Sequence, residues 1–130
     1  MFIDSNIPMY LVGAPHPLKD RARLLLEQAL TRGERLVTSA EVLQEILHRY
    51  RAIQRPDAMR AALDTLVALA DEVYAIERRD VLRAATLVES LPVLSAREAL
   101  HVAVMERHGV STILSFDAGF DAVSSIRRVG

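Results

Sequence analysis

The sequence predicts an α/β protein: a parallel sheet with helices on both faces. Three observations carry this. Short apolar runs recur along the chain, at Met1–Ile3, Leu36–Val37, Val73–Ile76 and Ser111–Leu114, and each reads as a brief buried strand. Longer segments with helical apolar spacing lie between them, the alternation that parallel strands and crossover helices require. The first run ends on Asp4, and the last is followed by Ser115-Phe116-Asp117. Carboxyl ends of parallel strands are where open α/β sheets form ligand sites.

The 130 residues suit one domain, 1–130, with a proper core. Half the residues are hydrophobic, and with three Phe, three Tyr and no Trp that core is aliphatic. With no Cys, disulfide and thiol chemistry are excluded. No apolar run approaches the length of a membrane span, so no membrane partner is expected. The start of the chain has no basic leader, and the expected location is cytoplasmic. The formal charge of −1 does not advertise nucleic-acid binding. A local basic surface is still open to Arg49, Arg51 and Arg55.

Each element has its own signal. Asp4 or Ser5 can cap a first helix, with Pro8 in its first turn. Gly13 to Pro17 is a loop. Leu18, Ala22, Leu25, Leu26 and Ala29 recur at helical spacing over Leu18–Leu30, and Gly33 is the stop. After Leu36–Val37, Thr38-Ser39-Ala40-Glu41 has the form of a capping box. Val42, Leu43, Ile46, Leu47 and Tyr50 then make one helix stripe. Glu45 lies at the border of that stripe and Glu41 further toward solvent. Glu45 is therefore the functional acid of this third helix, and Glu41 the cap.

Pro56-Asp57 opens another helix, continued over Ala58–Ala70 by Ala and Leu. Val73–Ile76 has the β-branched and aromatic character of a strand. Arg78–Ser90 is helical, and Leu91–Leu94 is a loop. The helix from Ser95 to Arg107 is apolar nearly all round, so it is expected to be buried on several sides. His108-Gly109 ends it. Gly119, Phe120 and Asp121 form a turn or short helix, and Ser125–Val129 a last edge strand.

Four acids separate from ordinary surface charge: Asp4, Glu45, Glu98 and Asp117. Clustered carboxylates repel and raise one another's pKa. A divalent cation relieves that repulsion, and carboxylate oxygens suit Mg²⁺ or Mn²⁺. Cations held in this way commonly serve phosphate-ester chemistry.

FIDSN, VLQEIL, AREALHVAVM and ILSFD stand here in an order and spacing that resemble the PIN-domain ribonucleases, most closely the VapC toxins of toxin–antitoxin pairs. The resemblance runs the length of the chain. It implies a three-layer α/β/α fold and a Mg²⁺- or Mn²⁺-dependent endoribonuclease that cleaves RNA phosphodiester bonds with a metal-activated water. It also implies a homodimer and a cognate antitoxin near the active groove. The catalytic and metal-binding acids it implies are Asp4, Glu45, Glu98 and Asp117. Ser5, Asn6 and Ser115 match the polar residues beside the first and last acid.

One position departs from the pattern. The third acid of the family is usually Asp, whereas here it is Glu98, which also has capping-box spacing from Ser95. Asp121 is read as a turn acid before an auxiliary ligand, and His101 as a packed, hydrogen-bonded core histidine. The Leu18–Leu30 and Ala58–Ala70 helices are the expected dimer faces. Two rival functions come from other classes: a PIN-fold binding module weakened by Glu98, and a metal-dependent phosphatase acting on small esters.

Overall fold

A computed structural model describes residues 1–130. Five parallel strands form one sheet in the order β3-β2-β1-β4-β5. In chain order the elements are β1 (Phe2–Ile3), α1 (Asn6–Val12), α2 (Pro17–Thr31), β2 (Val37–Ser39), α3 (Ala40–Ala52) and α4 (Pro56–Leu69). They continue with β3 (Glu72–Tyr74), α5 (Arg78–Ser90), α6 (Ala96–Arg107), β4 (Thr112–Leu114), a 3₁₀ turn (Ala118–Ala122) and β5 (Arg127–Val129). The chain winds outward from β1 to β3, then returns to the other side of β1. Right-handed crossovers in opposite directions place their helices on opposite faces. The helix contacts agree: α1 packs on α2 and α4, α3 on α4, and α5 on α6. The result is the three-layer α/β/α arrangement.

The core is aliphatic. Phe2, Ile3, Ile113 and Leu114 are fully buried on the two central strands, and Val42, Ile46, Leu66, Val102, Val104 and Met105 close over them from the helices. Helix α6 is buried on several sides, from Ala99 through Met105.

Two strands are displaced from the reading of the sequence, and β5 starts at Arg127 rather than Ser125, because the Ile126 N–H closes a turn on the Val123 carbonyl at 3.0 Å. Strand β2 is Val37–Ser39, one residue later than Leu36–Val37. The Leu36 N–H instead goes to the Asp71 carboxylate, at 2.8 Å. Strand β3 is Glu72–Tyr74 rather than Val73–Ile76, because its register against β2 pairs Val37 with Glu72 and Ser39 with Tyr74.

The capping box expected at Thr38-Glu41 does not form. Thr38 lies within the strand, and its hydroxyl donates to the Ile3 carbonyl across the sheet, at 2.9 Å. Ser39 is the cap, accepting from the Val42 N–H. Glu41 only adds a negative charge to the first turn. Leu47, placed in the buried stripe by spacing, is 47% exposed in a groove between α3 and α4. Exposed apolar side chains occur on α2 (Leu24, Leu30) and α4 (Val67), and equally on α5 (Val81, Leu82).

Candidate metal centre

The site is built where the winding reverses. Strands β1 and β4 are neighbours, paired Phe2 to Ile113 and Ile3 to Leu114. The connections that follow them lead to opposite sides of the sheet, from β1 to β2 and from β4 to β5, and a crevice opens at their carboxyl ends. The register puts Asp4 beside Ser115, the next residue on each strand. The Asp4 N–H continues the ladder to the Leu114 carbonyl, at 3.1 Å.

Asp4 is 5% exposed and held from several sides. Its Oδ1 accepts from the Ser5 N–H at 2.7 Å. Its Oδ2 accepts from the Ser115 hydroxyl at 2.5 Å and the Asn6 amide at 3.0 Å. These bonds occupy the Asp4 carboxylate, which does not cap α1; Ser5 has the cap position, but its side chain makes no cap bond. Ser115 Oγ also accepts from the Asp117 N–H at 3.0 Å, and Asn6 Oδ1 from the Phe116 N–H at 3.3 Å. Asn6 and Ser115 thereby lock the ends of β1 and β4 together.

Helix α3 brings Glu45 to this point, and α6 brings His101. His101 Nε2 lies 3.0 Å from Glu45 Oε1 and 3.9 Å from Asp4 Oδ1. A carboxylate can only accept, so Nε2 carries the proton. His101 is 1% exposed, and its Nδ1 has no partner. The packed, hydrogen-bonded histidine expected from the sequence is present, but it sits among the acids.

His101 also changes the expected electrostatics. Burial, with the charge of Glu45 added, pushes the Asp4 carboxyl above its ordinary range, against the pull of His101 and the Ser115 hydroxyl. Burial acts on Glu45 in the same sense, but there the His101 hydrogen bond and charge, helped by Ser5 and Arg97, win, and its pKa falls. The expected mutual raising therefore holds for Asp4 and fails for Glu45. Burial would lower the His101 pKa, yet the Glu45 hydrogen bond and charge, then Asp4 and Glu41, raise it.

Glu98 and Asp117 complete the rim. Glu98 forms the capping box: its N–H donates to Ser95 Oγ at 3.1 Å, and its Oε1 accepts from the Ser95 N–H at 3.0 Å. Its other oxygen, Oε2, is buried without a hydrogen-bond donor. Asp117 caps the 3₁₀ turn, accepting from the Gly119 N–H at 2.9 Å. Gly119 is what lets the two acids approach. A methyl group there would overlap Glu98 Oε2 and lie 3.2 Å from Asp117 Oδ1.

All four predicted acids line one cavity of about 200 Å³, with Ser5, Asn6, Ser95, Arg97, His101 and Phe120. The tightest group in it is Asp4, Glu45 and His101, which can offer ligand atoms within 4.8 Å of one another. Asp121 is elsewhere, in a two-bond ion pair with Arg128, both at 2.9 Å. Of the arginine cluster, Arg55 is paired with Asp57. Arg97 was not singled out by sequence reasoning, although its place beside Glu98 at a helix start was a signal for it.

The residues fit a divalent cation. The donor set is rich in carboxylate oxygen, and one of those oxygens, Glu98 Oε2, is buried with no proton donor. Leaving such an acceptor unpaired costs about 1–3 kcal/mol, which a cation would offset.

Known proteins match this chain along nearly its whole length. The PIN domain profile matches residues 1–126. Ribonuclease VapC13 of Mycobacterium tuberculosis is 54% identical over 129 residues, which span 99% of this chain and 98% of that protein. Ribonuclease VapC23 of the same species is 44% identical over 90% of this chain and 92% of its own length. Among solved structures, VapC20 of M. tuberculosis, described as a sarcin-ricin loop cleaving toxin, superimposes with a TM-score of 0.74. It is 21% identical, covering 95% of this chain and 94% of its own. VapBC2 of Rickettsia felis, bound to a promoter DNA fragment, gives a TM-score of 0.76 at 13% identity, covering 98% of this chain and 96% of its own.

Proposed function

The chain belongs to the PIN domain family, and from that premise we propose that it is a metal-dependent endoribonuclease of the VapC type, acting as one PIN-like domain. The single observation that carries this is the convergence of Asp4, Glu45, Glu98 and Asp117 on one cavity at the reversal of the sheet.

Asp4, Glu45, Glu98 and Asp117 would hold the ion. Mg²⁺ or Mn²⁺ is the expected identity, because the four acids supply carboxylate oxygens, while His101 Nε2 is committed to Glu45. A bound divalent cation supplies charge neutralisation at the scissile phosphate and lowers the pKa of water. The protein's own groups do the rest. Ser115 and Asn6 fix the orientation of Asp4. His101 fixes Glu45, the outer-shell arrangement that tunes metal sites. Arg97, exposed on the rim, is placed to pair with a substrate phosphate. Buried Phe120 gives the cavity a dry wall.

The partners in this reading are an RNA substrate and a cognate antitoxin, since several structures with this fold are toxin–antitoxin complexes. A second copy of the chain is a further partner, as a homodimer. No helix is long and apolar enough to cross a membrane, and the proposed location is the cytoplasm. The Glu98 Oε1 bond to Ser95 favours one second reading, a weakened PIN-fold module that acts by binding. Incubation of structured and single-stranded RNA with the protein and Mg²⁺ or Mn²⁺ separates the two. Cleavage that a chelator abolishes supports the enzyme. RNA left intact, or turnover of small phosphate esters alone, contradicts it.

A further inference from the structure

A second cavity, of about 440 Å³, adjoins the acidic one, and Asn6 lines both. Its position follows from helix geometry. Residues four apart share a helix face, one turn and about 6 Å along. On α1, Tyr10 follows Asn6 by four. On α3, Arg49 follows Glu45 by four. The two helices that leave the acidic centre therefore each carry one further side chain into the same space, an aromatic ring from one and a cation from the other.

Tyr10 is braced for stacking. Its ring meets Phe116 edge-on, with centroids 5.7 Å apart and planes at 78°. His16, from the following loop, lies 5.1 Å away and tilted by 38°. Phe116 is itself tied through its N–H to Asn6, so the platform and the acid site share one frame. Arg49 is exposed and makes no ion pair, unlike its neighbour Arg55. Tyr50, Met9 and Ile53 supply apolar walls.

Resting on the ribonuclease reading above, we propose that this cavity holds one nucleobase of single-stranded RNA, stacked on Tyr10, with Arg49 on an adjacent phosphate. Rings stack on any base, and a lone arginine complements a phosphate better than it does an apolar peptide. The strand must be single, because a duplex buries the base faces that the ring would need.

The test is binding of a fluorescein-labelled single-stranded oligoribonucleotide of mixed sequence, read by anisotropy, alongside cleavage of the same RNA. Tyr10→Leu keeps an apolar side chain and removes the π-face, and is expected to weaken binding about tenfold; Tyr10→Phe stays near the parent. Arg49→Ala is expected to weaken binding and to make it less salt-dependent; Arg49→Lys restores part of both. Parent-like RNA binding by Tyr10→Leu and Arg49→Ala overturns the proposal. Cleavage indifferent to both residues leaves the ribonuclease reading standing without this subsite. RNA binding that depends on both, in a protein that cleaves nothing, keeps the subsite and removes the ribonuclease reading.

Discussion

His101 Nε2 and Glu45 Oε1 lie 3.0 Å apart, joining α6 to α3 inside the acidic cavity. This pair sets how the acids coexist, because the imidazole gives Glu45 a donor and stands 3.9 Å from Asp4. His101→Ala is expected to destabilise the protein by about 2–4 kcal/mol, through an opened cavity and stranded carboxylates. With Glu45 no longer oriented, affinity for Mn²⁺ should fall about 10–100-fold. Thermal melts in chelator and calorimetric Mn²⁺ titration check the two parts. Parent-like affinity in a folded His101→Ala protein would show that the histidine only packs.

Asp4 and Asp117 should behave alike toward metal and differently toward stability. Either change to Asn should abolish metal-dependent cleavage, since an amide cannot balance the cation. Asp4→Asn should also cost about 1–3 kcal/mol, because buried Asp4 accepts from Ser5, Asn6 and Ser115, and the amide nitrogen cannot. Exposed Asp117 needs only one oxygen for Gly119, so Asp117→Asn should fall within about 0.5 kcal/mol of the parent. Millimolar Mg²⁺ or Mn²⁺ should raise the melting temperature of the parent and leave both variants unmoved.

Glu98 divides its oxygens, one to the Ser95 N–H and one buried beside Gly119. Glu98→Gln should lower metal affinity and cleavage. Glu98→Asp should keep or raise both, since Asp is the usual acid at this position of the family and Mg²⁺ demands near-ideal geometry. Gly119→Ala tests the same oxygen from the other side: its methyl would displace Oε2, reducing metal affinity while the melting temperature in chelator changes little. Equal metal affinity in all three variants would make Glu98 a cap alone.

The fold was legible because its signals are local. Apolar spacing, Gly33 and Gly109 stops and the Ser95–Glu98 box each act within one turn, and α5 is Arg78–Ser90 as read. The four acids were legible from their place after strands and on helix borders. What escaped depends on partners distant in sequence. Thr38 looked like a cap because its bond to Ile3, 35 residues away, leaves no local trace. His101 looked like any core histidine, since Glu45 is 56 residues away. The β3 boundary was set by register against β2, and the exposure of Leu47 by how far α4 covers α3.

Asp80 and Arg107 give a stability test away from the site. Arg107 donates to both Asp80 oxygens, at 2.6 and 2.8 Å, and the Asp80 side chain is 1% exposed. The Arg107 hydrogen bonds hold the Asp80 carboxyl below its usual range, against the cost of burial. A depressed carboxylate pKa stabilises the fold above the unfolded value of about 3.9, and that contribution is lost as pH falls through the folded value. Asp80→Asn should cost about 3 kcal/mol at neutral pH and progressively less below about pH 4. Urea melts of both proteins across that range check it; a gap that does not narrow on acidification would contradict the pairing.

The acids at the ends of β1 and β4, with Glu45 and Glu98, are proposed to hold one divalent-cation site. The most direct measurement is anomalous scattering from crystals soaked in Mn²⁺. The expected result is a peak in the cavity, coordinated by oxygens of Asp4 and Asp117 together with Glu45 or Glu98, and absent in Asp4→Asn crystals. A peak elsewhere, or none at millimolar Mn²⁺ in the parent, would contradict a metal site formed by these acids.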